Sequence, residues 1–520
     1  IGDKKKPITY HLSPITHHSS LIMCGIAGFI EKENTDAAKR ERRLDAMCKT
    51  ITHRGPDEQG MTVEGRAALG MRRLSIIDLA GGQQPIYNED DSIFIVFNGE
   101  IYNFQELREN LLKRGYKFKT HSDTETILHL YEEYGENCVD YLRGMFAFAI
   151  WSEKDETLFV ARDRVGKKPL FYSLINGNFV FGSELKVLLE HGEISREIDY
   201  AALDSYLTFG YVPEEFCIFK DVHKLLPGHF LKFKNGAVVT KKYWDFNYVK
   251  PVEIKTEAEY IEVLREKIIE AVKIRLISEV PLGAFLSGGV DSSTIVGTMA
   301  RISHQPVKTF SIGFNEDSFN ELKFARVAAE HFNTEHHEFI VTPDLVEIVD
   351  QLIWHFDEPF ADPSSLPTFM VSKMAREFVT VALSGDGGDE LFAGYTRYAV
   401  DKKRSGFANL PAFVRKGVQA VSANLPHGAK GKNYLYNASL DAIDRYIDSV
   451  SHFNKLRRKS LYNKNFLANL NGNFAQAENV FQSFAESVET GNPIDNLLYL
   501  DSKTYLPSDI LVKVDRMTMA

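Results

Sequence analysis

At 520 residues, 44% of them hydrophobic and 25% charged, the chain is too long for one core, and about two to four domains are expected. A formal net charge of -10 argues against a protein that coats nucleic acid. Cys24, Cys48, Cys138 and Cys217 lie far apart without a CxxC pair, which suggests neither a disulfide framework nor a zinc site and fits a reducing cytosol. No apolar run approaches the roughly 18 residues of a membrane-spanning helix, so a cytoplasmic protein with no membrane or nucleic-acid partner is expected.

Residues 1–22 lack a starting methionine and carry Lys4, Lys5 and Lys6. Leu21-Ile22-Met23-Cys24 mimics a lipoprotein box, but His17-His18-Ser19-Ser20 occupies the place of the apolar core. A non-native or pro-segment leader over 1–22 is expected, with the true start at Met23. Cys24-Gly25-Ile26-Ala27-Gly28-Phe29 then becomes an N-terminal cysteine leading a buried strand. A strand cysteine is usually a small hydrophobe; at a chain terminus its own α-amine can serve as the base that activates the thiol.

Further on, His53-Arg54-Gly55-Pro56-Asp57 is a polar turn, and Arg72-Arg73-Leu74-Ser75-Ile76-Ile77-Asp78 puts cations at a strand. An apolar strand breaks at Asn98-Gly99-Glu100, and Ser122-Asp123-Thr124-Glu125 reads as a helix N-cap with an acid three residues on. Residues 145–151, 157–162, 169–173 and 178–182 alternate or run apolar, as two packed antiparallel sheets would. Arg162-Asp163-Arg164-Val165-Gly166 is a turn that demands no chemistry. Residues 250–257 read as a linker and 257–278 as an amphipathic helix.

A short apolar run ends at Leu286 and opens through Ser287-Gly288-Gly289-Val290-Asp291-Ser292-Ser293 into helix-compatible sequence. The N–H groups and positive dipole end of such a helix suit phosphate. Neither a Walker A loop nor GxGxxG spacing is present. A bare Ser-Gly-Gly would be an ordinary βα turn. Asp291 changes that reading, because a carboxylate beside an anion hole repels phosphate unless a cation such as Mg²⁺ lies between them. Strands at 307–314, 336–341 and 379–383 alternate with helices at 320–332 and 343–355, which predicts a doubly wound parallel sheet with ligands at the carboxyl ends of its strands. Ser384-Gly385-Asp386-Gly387-Gly388-Asp389-Glu390 crowds three acids into one turn, a repulsion that a metal or a cationic intermediate would relieve. Residues 400–520 read as mostly helical, with Lys513-Val514-Asp515-Arg516 on the last helix.

The Ser-Gly-Gly-x-Asp-Ser-Ser loop resembles the pyrophosphate loop of ATP pyrophosphatases. The amino-terminal motifs, in this order, resemble class II (N-terminal nucleophile) glutamine amidotransferases. Together, from Met23 onward, they resemble the glutamine-hydrolysing asparagine synthetases. The resemblance implies an α/β chain of two domains: an αββα sandwich of the N-terminal-nucleophile type over 23–245, then an adenine nucleotide α hydrolase-like synthetase domain over 246–520. It implies that Cys24 attacks glutamine's side-chain amide, with Asn98 and Gly99 as oxyanion hole. Glutamine would be held by Arg73 at its α-carboxylate, by Glu100 and Asp123 at its α-ammonium, and by Leu74, Ser75, Ile76, Ile77, Asn98 and Gly99.

For the second site the resemblance implies ATP and pyrophosphate contacts at Leu286, Ser287, Gly288, Gly289, Asp291, Ser292, Ser293, Ile312, Ser384 and Gly385. Mg²⁺ would lie on Asp291 and Asp389, and Asp386 would serve acyl-adenylate formation. Asp357-Glu358-Pro359 and Asp362-Pro363-Ser364-Ser365 would lie near an aspartate site. The implied reaction makes asparagine from aspartate, ATP and internally passed, glutamine-derived ammonia, through β-aspartyl-AMP. Two rival readings stand beside it: a related ligase adenylating another carboxylic acid, and a non-catalytic homologue with an inactive synthetase half. A homodimer is left open. The chain stops at Met517-Thr518-Met519-Ala520, where the family is expected to continue, so a C-terminally truncated synthetase domain is expected.

Overall fold

The structure, a computed structural model, describes residues 8–9, 24–248, 256–315, 320–341, 345–426, 428–472 and 474–520. Met23, the rest of the leader and most of the expected linker lie outside the described residues. The first half is built on two six-stranded antiparallel sheets. One runs His223–Lys224, Phe171–Ile175, Asn178–Gly182, Gly25–Ile30, Ala67–Arg73, Glu58–Glu64. The other runs Ala237–Lys242, His229–Lys234, Thr157–Arg162, Gly144–Ser152, Ile93–Ile101, Ile86–Tyr87.

Face to face the sheets enclose Ile26, Leu69, Val96, Ala149, Val160 and Phe179. The outer face of the first sheet packs, through Phe29 and Ala68, on Leu44, Leu188 and Ala202 of three helices. Phe97 and Phe148 of the second pack on Leu107, Leu111 and Ile127 of the helices Phe104–Lys113 and Asp123–Tyr134. The expected αββα sandwich is the architecture. It also explains why Gly25–Ile30 is buried at every position: each face of the strand meets another layer.

The second half carries a five-stranded parallel sheet, ordered Ile8–Thr9, Glu335–Ile340, Lys308–Gly313, Leu282–Phe285, Val381–Leu383. Helices cover both faces, one through Val272, Val296 and Ala325 and the other through Ile348, Phe369 and Met517. This is the doubly wound sheet the pattern predicts. Leu282–Phe285 and Val381–Leu383 are neighbours, with Ala284 opposite Leu383. The segments beginning at Leu286 and Ser384 therefore leave the sheet side by side. Helices succeed one another from Gly388 to Met519. Among the described residues, no helix is long and apolar enough to cross a membrane.

The helix expected over 257–278 ends at Lys273. Beyond it Ile277 packs into the core of the first half. Glu279 donates its N–H to the carbonyl of Ile76 at 3.2 Å and accepts from the N–H of Asp78 at 3.0 Å. Those contacts draw the chain out of helical geometry. The strand expected from 169 begins at Phe171, because Pro169 has no N–H for a ladder. The helix expected over 343–355 is described from Leu345 to Phe356.

Candidate active sites

Cys24 stands at the head of Gly25–Ile30, Arg73 at the end of Ala67–Arg73, Gly99 and Glu100 near the end of Ile93–Ile101, and Asp123 in the first turn of its helix. Ser122 caps that helix by accepting from the N–H of Thr124. These four elements meet around a pocket of about 40 Å³ lined by Cys24, Arg73, Leu74, Ile76, Ile77, Gly99, Glu100 and Asp123. Ser75 is not among the residues that line it, and its N–H donates to Asp57 at 3.0 Å. Asn98 is fully buried, with its Nδ2 on Ser183 Oγ at 3.4 Å. Gln84, Phe97, Thr124 and Met145 also line the pocket, and sequence reasoning missed them. Met145 arrives by pairing with Glu100 across the sheet, a register that no motif announces.

The pocket is short of positive charge. Arg73 is largely spent, donating to Glu58 at 2.9 Å and to the carbonyls of Ile77 and Asp78. Burial, with Asp123 nearby, pushes Glu100 up to about 8. Burial pushes Asp123 up to about 6, although the N–H of Ile101 donates to it. Two acids strained in this way are suited to receive an ammonium group. Burial also pushes the Cys24 thiol up, against a hydrogen bond to the carbonyl of Leu74 at 3.6 Å. The thiol is therefore neutral at pH 7 and needs a base to become a nucleophile.

In the second half, Gly288 takes φ +82°, and a Cβ there would meet the backbone of Phe324 at 2.3 Å; no other residue fits the turn. Ser292 Oγ ties the loop by donating to the Gly289 carbonyl at 3.3 Å and lying 3.0 Å from Ser287 Oγ. Gly289, the N-cap of Val290–Ile302, has no side chain to occupy the first-turn N–H groups. Asp291 and Ser293 lie in that turn. Leu286 is buried behind it, and its carbonyl accepts from Ser311 Oγ. Ile312 is half-buried on the adjacent strand.

The loop from Ser384 lies directly against this turn. A Cβ on Gly385 would meet the N–H nitrogen of Ser292 at 2.9 Å, and one on Gly388 would sit 2.6 Å from the Asp291 carboxyl carbon. The structure thus brings together Asp291, Asp386 and Asp389. Burial, then Asp291 and then Asp386, push the Asp389 carboxyl up. The three are a looser group than Glu89, His129 and Glu132, whose ligand atoms lie within 4.8 Å of one another in the first half.

The acidic loop expected near an aspartate site ties the two halves together. Asp357 takes Lys186 at 2.9 Å and Glu358 takes Lys224 at 2.7 Å, both from the first half. Asp362 and Ser364 accept from Lys513 at 2.9 and 2.8 Å. In the Arg162–Gly166 turn the Asp163 carboxylate accepts from the N–H groups of Phe146, Val165, Lys167 and Lys168, and Arg162 pairs with buried Glu214. A second cavity of about 30 Å³ lies between the halves, walled by Leu170 and Phe171 on one side and Phe356, Phe360 and Val512 on the other.

Residues 23–244 match the glutamine amidotransferase domain family and residues 263–520 the asparagine synthase family. Asparagine synthetase (glutamine-hydrolyzing) 1 of Bacillus subtilis is 39% identical over 501 residues, covering 96% of this chain and 78% of that protein. Putative asparagine synthetase (glutamine-hydrolyzing) 2 of Methanocaldococcus jannaschii is 39% identical over 429 residues, 78% of this chain and 81% of its own. The putative enzyme of Mycobacterium tuberculosis H37Rv is 34% identical over 523 residues, 96% of this chain and 78% of its own. With two sites of this composition and relatives matched across both, the chain belongs to the family of glutamine-hydrolysing asparagine synthetases.

Proposed function

We propose that the chain hydrolyses glutamine at Cys24 and uses the ammonia, with ATP, to convert aspartate into asparagine. The observation that carries this reading is the presence in one chain of both an amine-seeking cysteine pocket and two glycine-acid loops on adjacent parallel strands. In the first half, an N-terminal α-amine on Cys24 takes the thiol proton, and Sγ attacks the amide carbon of glutamine. The Asn98 amide and Gly99 N–H support the oxyanion. Ammonia leaves with the proton, and water then releases glutamate from the thioester. Glu100 and Asp123 hold the α-ammonium, and Arg73 takes the α-carboxylate in exchange for part of its present hold on Glu58 and the Ile77 and Asp78 carbonyls.

In the second half, the Ser287–Ser293 turn receives the ATP phosphates, with Leu286, Ile312, Ser384 and Gly385 around the nucleotide. The aspartate β-carboxylate attacks the α-phosphorus, pyrophosphate leaves, and ammonia displaces AMP from the β-aspartyl-AMP carbon. Asp386 bears on the adenylation step. Asp291 and Asp389 fit Mg²⁺: their donors are the oxygens that ion prefers, and the charge of Asp291 bears on the Asp389 carboxyl. Bound there, it would neutralise pyrophosphate charge. The cavity between the halves, whose wall mixes apolar side chains with Arg162, Glu214, Lys224, Glu358 and Arg516, is the place where an internal route for ammonia would pass. The boundaries 23–245 and 246–520 suit this division of labour. The test is the product balance: glutamine, aspartate and ATP should yield glutamate, asparagine, AMP and pyrophosphate in equal amounts, and other carboxylic acids should not replace aspartate.

The acids of the first pocket give that half a pH signature. Glu100 stays protonated up to about 8 and Asp123 up to about 6 while the pocket is empty. An ammonium group needs them charged, so at lower pH glutamine must expel protons to bind. We expect kcat/KM for glutamine to climb with pH across that window, and Glu100→Gln to lose the upper part of the climb. Glutaminase assays from about pH 5.5 to about 9 read this directly; identical profiles for the two proteins would contradict it.

A further inference from the structure

The polar turn His53–Asp57 and the Lys513–Arg516 stretch have no role in the steps above, yet the fold joins them. Arg54, with no exposure to solvent, donates its Nε to the backbone carbonyl of Cys24 at 3.2 Å. Its two terminal nitrogens grip both carboxylate oxygens of Asp515, at 2.8 and 2.9 Å. Asp515 belongs to the helix Leu511–Met519 of the synthetase half and is 4% exposed. Arg54 also reaches Glu184 at 2.8 Å, and Lys168 donates to Asp515 at 3.2 Å. Burial alone would push Asp515 up, but Arg54 and Lys168 hold it down to about 2.

A forked guanidinium held at both ends has one orientation. Its Nε then fixes the peptide group of the residue that carries the nucleophile. Within the first half, Glu184 contacts one nitrogen of the fork; the bidentate grip comes from the other half.

We propose that Asp515 is a positioning residue of the glutaminase: acting from the synthetase half through Arg54, it holds the backbone of Cys24 in the attacking geometry. The inference rests on reading Cys24 as the glutaminase nucleophile. It places the completion of the first site in a helix of the second. It also separates binding from chemistry. The groups that would hold glutamine, Glu100 and Asp123, are not part of this chain of contacts, whereas the approach of Sγ to the amide carbon is set by it. Misplacement of a reacting atom by about 1 Å can cost roughly 10²-fold in rate.

The test is a double-mutant cycle on the full-length protein, reading glutaminase kcat and KM, with ammonia-dependent asparagine synthesis as the measure of an intact synthetase half. Arg54→Lys keeps the charge but loses the fork; Asp515→Asn keeps the shape but loses the charge. Each should lower glutaminase kcat by at least about 10-fold, with KM and ammonia-dependent synthesis held within about threefold. The double variant should be no slower than the worse single variant, because the two residues act as one device. If Asp515→Asn does not fold, Asp515→Glu takes its place with the same expectation. A wild-type kcat in the Asp515 variant, multiplying losses in the double variant, or an equal fall in ammonia-dependent synthesis would each overturn the inference. A wild-type protein that hydrolyses no glutamine would instead overturn the reading of Cys24 on which it rests.

Discussion

Asp291→Asn in the full-length protein is expected to cut pyrophosphate release from ATP and aspartate by about 10²-fold or more, while glutamine hydrolysis at Cys24 continues. The carboxylate sits in the first turn of Val290–Ile302, a position made for anions, and it lies so close to the second loop that a Cβ on Gly388 would push it aside. An acid in that place is a liability for phosphate binding unless it recruits a cation. Losing its charge removes one half of the Asp291–Asp389 pair and lets the Asp389 carboxyl relax toward its ordinary range, since Asp291 is one of the groups pushing it up. Titrating Mg²⁺ against pyrophosphate release separates a metal role from a packing one. A variant that needs far more Mg²⁺ for the same rate supports the assignment, and one that releases pyrophosphate at the wild-type rate reduces Ser287–Ser293 to a βα turn.

Cys24→Ala should abolish glutamine-dependent synthesis and leave synthesis from ammonium salts near its original rate. The substitution removes one sulfur from a half-buried site, with the loss of the thiol's hydrogen bond to the Leu74 carbonyl, while the hydrogen bond from Arg54 to the Cys24 carbonyl stays, so the packing around it is disturbed little. The synthetase loops lie on a separate sheet and receive nothing from Sγ. Asparagine formation is followed with glutamine or with ammonium as nitrogen source. Retained glutamine-dependent synthesis would remove Cys24 from the chemistry, and loss of both activities would contradict the independence of the two sites.

Much of the architecture was legible because it rests on local devices. Gly288 at a positive φ, the acid after it, and the Ser122 cap announce a turn or a helix start within a few residues, and the runs of buried strand residues report four stacked layers. Contacts made across the chain were not legible. Asp357 reads as part of an acidic loop awaiting a ligand, yet its cation, Lys186, is 171 residues away. Arg54 and Asp515 are 461 residues apart, and neither turn nor helix carries a signal of the other. The helix expected to run to 278 stops at Lys273 because Glu279 is claimed by Ile76 and Asp78 of the first half, which helix propensity cannot foresee. The pocket wall shows the same limit: Gly99 and Glu100 follow from a motif, whereas Met145 follows only from strand register.

The central claim is that one chain makes ammonia at Cys24 and consumes it at the paired loops. The product balance tests it most directly when glutamine carries ¹⁵N in its side-chain amide and the reaction also contains aspartate, ATP, Mg²⁺ and an excess of unlabelled ammonium. Equal yields of asparagine, AMP and pyrophosphate are expected, with asparagine far richer in ¹⁵N than the surrounding ammonium, because the nitrogen is handed on within the protein. Asparagine carrying only the isotope ratio of the bulk ammonium, or glutamate and AMP appearing without asparagine, would contradict the account.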